Sequence, residues 1–263
     1  MQPKVLRWET KNVKSLKGKN DKFKGARMKG LNLRRKLFVI TTFAIAMGFL
    51  ESAVVVYLRD ILYPGGFAFP LTPIPVHIAV TEVIREAATV IMLVMIGMIA
   101  ANRFSTGFAW FLYSFAVWDI FYYLFLKFLI GWPESLFTWD ILFLIPTTWT
   151  GPVLSPVLVS LTMILFSLVI LFQEAKGNAT LILPFEWAGL ILGSLVLITG
   201  FIFDFSQHML VYFSFTEMLQ LRNPEVMEVA TRYIPLRFPW WIFGIGELIL
   251  LGTMGWYWRR VGR

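Results

Sequence analysis

Apolar residues run for about 20 positions at a time along most of this chain, and the runs are separated by short polar, aromatic or Pro-rich connections. Six runs stand out, at 37–58, 76–101, 107–130, 153–173, 183–207 and 239–258. Each is long enough to cross a hydrocarbon core of about 30 Å as a helix. The pattern predicts an all-α fold, a polytopic membrane bundle of six transmembrane helices over 37–258, flanked by a basic segment 1–36 and a basic C-terminus 259–263. Two connections carry structure of their own. The apolar stretch 140–145 is too short to span and is bounded by Pro133, Pro146 and Pro152, which suggests a short interfacial or re-entrant helix. Asn223-Pro224-Glu225 has the form of a helix start, so the charged stretch 215–237 is expected to hold an amphipathic helix outside the bilayer.

Composition agrees with this class. With 57% hydrophobic and 15% charged residues, the chain has too little polar surface for a water-soluble domain. It has no Cys, which excludes disulfides, iron–sulfur clusters, Cys-ligated zinc and thiol nucleophiles. Walker-type and GxGxxG phosphate-binding patterns are absent, and no internal repeat is visible.

Charge sets the orientation. Residues 1–36 hold 13 of the 24 basic residues against Glu9 and Asp21, and read as an unstructured cytoplasmic tail lying along anionic lipid headgroups. Nucleic-acid binding is the less favoured use of that tail, because no aromatic or Gly pattern interleaves its charges. Arg103, Lys176, Arg259, Arg260 and Arg263 fall on the same side after an even number of crossings, which gives a plasma-membrane protein with both termini cytoplasmic. The long connections 59–75, 131–152 and 208–238 then face outward.

The spans carry charges that hydrocarbon does not tolerate unpaired. Glu51, Glu82, Arg85, Glu86, Asp119 and Glu247 all lie within them, five acids against one base. At 1.5 Å per residue all fall in the outer half or near the middle, so they outline a cavity open to the outer face. These acids must bind protons or cations, or line water.

Both histidines belong to the same layer. Asp204 and His208 are four apart, as are Glu82 and Glu86, so each pair shares a helix face. The resulting candidate metal set is Glu51, His77, Glu82, Glu86, Asp204 and His208, with Asp119 and Glu247 behind it or on a proton path. Such ligands suit a divalent transition metal, namely iron, manganese or zinc. Haem held between His77 and His208 is a weaker alternative, since acids make a poor haem wall. In a membrane metalloenzyme acting on a hydrophobic or lipidic substrate, Glu86, Arg85 and Asp119 would be the catalytic groups. The competing expectations are a proton- or cation-coupled transporter, and a subunit whose acids meet bases on partner membrane helices. Simpler uses also exist: the histidines as caps, Asp119 as packing glue, Asp140 as a helix N-cap and the Trp residues as an interfacial belt.

Overall fold

The computed structural model describes residues 5–220 and 223–262, with side chains from Leu33 onward. The side chains of the basic segment 1–32 are therefore outside the described residues. The chain forms α1 (Val5–Leu62), α2 (Val76–Ala100), α3 (Phe104–Ile130), a hairpin of β1 (Trp139–Phe143) and β2 (Trp149–Pro152), then α4 (Leu154–Lys176) and α5 (Pro184–Leu210). Two short helices, α6 (Phe215–Met218) and α7 (Pro224–Thr231), precede α8 (Trp240–Val261).

Five helices are long and apolar enough to cross a membrane: the Leu33–Leu62 part of α1, and α2, α3, α4 and α5. Helix α8 has 22 residues, about 33 Å of length, but its Gly, Trp and Glu247 dilute its apolar character. It lies along α5 through paired glycines. A Cβ on Gly193 would meet Leu250 Cδ2 at 2.7 Å and the carbonyl of Gly246 at 3.2 Å, the close backbone approach that small residues permit in membrane bundles.

The helices fall into two packed sets. Helix α3 is the centre of the first, with α1, α2 and α4 against it, and α5 with α8 makes the second; α8 also touches α4. Buried Ile40, Trp110, Phe166, Ile170, Met254 and Tyr257 fill the half of the bundle nearer the short turns 101–103 and 177–183. At that end Arg260 donates to both oxygens of fully buried Glu186, at 2.8 and 2.7 Å, and Thr106 donates to Glu174 at 2.9 Å. The ionic groups of this half sit at the helix ends.

The short helix expected over 140–145 is instead strand β1. Trp139, Ile141 and Phe143 alternate with Asp140 and Leu142, and the stretch pairs antiparallel with β2, Asp140 opposite Gly151 and Ile141 opposite Thr150. Six residues are too few for a stable isolated helix, whereas a partner strand satisfies the same backbone groups. Pro146 falls in the turn and Pro152 at the strand end, where neither breaks the ladder. Pro156 lies in the first turn of α4, so it removes no intrahelical hydrogen bond. The helix start at 223–225 is present, with the Asn223 side chain accepting from Glu225 N at 3.0 Å at the head of α7.

Candidate functional site

The ends of α1, α3 and α5 and the beginnings of α2 and α4 gather at one end of the bundle, under the hairpin and α6–α7. A cleft of about 260 Å³ opens there. Its walls are largely apolar, from side chains such as Val55, Leu58, Phe67, Phe205, Met209 and Val226. Its charged lining is Glu51 and Arg59 from α1, Glu82, Arg85 and Glu86 from α2, Asp119 from α3 and Asp140 from β1.

Arg85 is the hub on the α2 side. Its Nε donates to Glu82 Oε2 at 2.9 Å, one turn away, and its Nη1 donates to Glu51 across the α1–α2 boundary. Glu51 also accepts from Thr89 at 3.4 Å. Glu86, one turn beyond Glu82 on α2, is buried and accepts the backbone N–H of Leu144 at 2.8 Å, which pins the hairpin turn onto α2. Asp119 accepts from Ser160 of α4 at 2.8 Å. Each acid has a partner, but two guanidiniums face five carboxylates.

The second guanidinium is Arg59, at the end of α1. It donates to Asp140 at 3.0 Å and lies over the rings of Trp132, 3.7 Å from its centroid, and Phe67, at 4.5 Å. Asp140 accepts in addition from Tyr123 at 3.4 Å. This cluster joins α1, α3 and the hairpin into a roof. Asp140 is therefore no N-cap: it is a 2% exposed carboxylate in a strand. Burial pushes its pKa up to about 6, against the lowering by Arg59 and by its hydrogen bonds.

The expected six-residue metal set is divided by the fold. Glu51, Glu82 and Glu86 line the cleft, with Arg85 between the first two. His77 lies exposed at the start of α2, outside the cleft lining. Asp204 and His208 are together on α5, as their spacing implied, but both serve the segment above it. Asp204 accepts from the Tyr233 hydroxyl at 2.7 Å and from the backbone of Leu236 at 3.1 Å, and His208 Nε2 pairs with the Val229 carbonyl at 3.1 Å. Glu247 is not among the cleft-lining residues and accepts from Thr162 at 2.8 Å. Among the described residues, no three His, Asp or Glu side chains are grouped to hold a metal ion.

Sequence reasoning missed Arg59 and Asp140 as site residues, and with them Tyr122 and Tyr123, which line the cleft from α3. Arg59 and Asp140 are 81 positions apart; Arg59 sits just beyond an apolar run and Asp140 at the head of a short one, where charge is unremarkable. Pairing them required knowing that the hairpin folds back over α1. Compared with known proteins, the chain matches no family model, no curated protein and no solved structure.

Proposed function

We propose that this is a six-span plasma-membrane protein, with both termini cytoplasmic, whose outward-facing cleft binds an amphiphilic molecule through a cationic, hydrogen-bond-donating head. One observation carries the reading: an apolar-walled cleft holds five carboxylates against two guanidiniums. Pockets of this build, mostly hydrocarbon with a few convergent polar groups, hold ligands that are themselves part apolar. The excess of acid selects a positive head, and an ammonium brings charge and further donors to carboxylates that outnumber the guanidiniums. Glu86 and Glu82 are the expected contacts, with Arg85 keeping Glu82 and Glu51 in place. Acid–base work by Glu86 on the bound head is the extension of this reading to an enzyme.

A site suits the geometry better than a conduit. In support of this, Ala44, Met47, Leu93 and Val117 pack together as a buried apolar cluster within the same helices. The sixth span rests on the glycine-lined contact of α8 with α5 along its length, and the orientation on the basic residues clustered at the opposite end.

The test uses protein in nanodiscs of neutral phospholipid, titrated with a long-chain primary amine or the alcohol of the same chain length. The amine is expected to raise Tm in a concentration-dependent way, as any ligand of the folded state does. Glu86→Gln should cut that shift by at least half, and the alcohol should give little. Equal shifts from amine and alcohol would overturn the cationic head. Stoichiometric iron, manganese or zinc in the purified protein, lost in Glu82→Ala, would return the carboxylates to a metal site.

A further inference from the structure

A second cavity lies away from the carboxylates, on the seam between the two helix sets. Where helices touch in this fold, glycine brings their backbones together: a Cβ on Gly97 of α2 would sit 2.6 Å from the carbonyl of Gly107 on α3. Across the seam the opposite holds. Phe111 and Phe115 of α3 face Leu197 of α5, with Leu250 of α8 behind, and these large side chains hold α3 and α5 apart around about 260 Å³ of space. The lining is almost wholly carbon. Thr162 on the cavity wall donates its hydroxyl to the half-buried Glu247 of α8 at 2.8 Å.

Aromatic pairs close the two ends. Trp149 stacks on Phe201 at 5.6 Å and 14° on the carboxylate side, and Phe108 packs on Trp187 at 4.8 Å on the other. Of the lining residues, Ser194 of α5 is exposed, beside exposed Ile191 and Leu195. Helix α5 is among those apolar enough to stand in lipid. A molecule arriving from water meets rings at either end, whereas one already in the bilayer meets the exposed edge at Ser194.

We infer that this fissure is a binding site for one hydrocarbon chain of a membrane lipid, which enters sideways past Ser194. The lining offers dispersion contacts along its length, and its surface is mostly carbon. A chain lying there restores the close packing that the separated α3 and α5 lack. The inference is independent of the cleft, because no cleft carboxylate takes part.

The experiment is photo-crosslinking in nanodiscs made with a phospholipid that carries a diazirine midway along one acyl chain, with adducts mapped by peptide mass spectrometry. In the unaltered protein, labelling of the α3 stretch 108–115 and the α5 stretch 190–201 is expected to exceed that of lipid-facing Ile91 and Ile99 on α2 at least fivefold. Ser194→Trp, which fills the mouth, should bring it down to the perimeter level, and Leu112→Trp should do so from the facing wall. Labelling of the fissure no stronger than that of the perimeter overturns the inference, and so does labelling that both filled variants leave unchanged while their helical content matches the parent. Loss of amine binding at the cleft with the crosslink pattern intact would sink the cleft reading alone.

Discussion

Asp140 shows how one residue's surroundings set its chemistry. Its folded-state pKa of about 6 stands above the ordinary 3.8, because burial outweighs the neighbouring Arg59. The folded protein therefore holds this proton more tightly than the unfolded chain does. Above pH 6 the ionised carboxyl costs the fold about 3 kcal/mol, two pKa units' worth, and that cost is relieved as pH falls from about 6 towards 4. Asparagine does not titrate, so the difference in unfolding free energy between wild type and Asp140→Asn isolates the effect. It should move in favour of wild type by roughly 2 kcal/mol between pH 7 and pH 4. A flat difference would mean that Arg59 holds Asp140 ionised throughout. The sequence gives Asp140 no such distinction: it follows Trp139 at the head of a short apolar stretch, and only the fold brings Arg59, 81 positions earlier, against it. Glu82 and Arg85 were legible as neighbours because three residues on a helix already share a face.

Among the elements, the segment after α5 depends on a few side-chain tethers. Helices α6 and α7 have 4 and 8 residues, too short to be stable alone. Asp204 ties the stretch beyond them to the end of α5 through the Tyr233 hydroxyl and the Leu236 amide, and Tyr233 in turn meets Thr150 of β2 at 2.9 Å. Helix α5, the hairpin and the 215–237 segment thus converge on one tyrosine and one aspartate. Asp204→Ala removes charge-assisted bonds worth about 1.5–3 kcal/mol. Amides of 211–238 should then exchange with deuterium at least about tenfold faster, while those of α1–α4 keep their rates. Equal acceleration everywhere would show that Asp204 supports the whole bundle rather than this segment. The Asp204 and His208 spacing was visible in the sequence and correctly placed them on one face, but their partners come from residues 229–237, whose path no periodicity reveals. The same limit explains β1: Asp140 and five apolar residues between prolines fit a strand or a short helix equally, and the partner strand decides.

Across the whole molecule charge is divided between the ends. Arg34, Arg35, Lys36, Arg103, Lys176, Arg259 and Arg260 stand at the end with the short turns, and the acid-rich cleft occupies the other. Membrane-length helices were plain in the chain because a run of about 20 apolar residues has few alternative fates. The cleft was visible only as an excess of buried acid, since which acids meet depends on how helices pack. Helix α8 is the ambiguous element: long enough to cross, held to α5 by Gly193 and Gly246, yet diluted by polar and aromatic residues. A chain without cysteine allows a direct test of both topology and orientation. Single cysteines replacing Glu134, Lys176, Arg237 and Arg259, all at exposed positions, can be probed in intact cells with a membrane-impermeant maleimide. Six crossings with cytoplasmic termini require labelling at 134 and 237, and protection at 176 and 259 until the membrane is opened. If α8 lies on the surface instead of crossing, 259 labels together with 237 while 176 stays protected. If the basic end faces outward, the pattern inverts at all four positions, the cleft opens to the cytoplasm, and its ligand must come from within the cell.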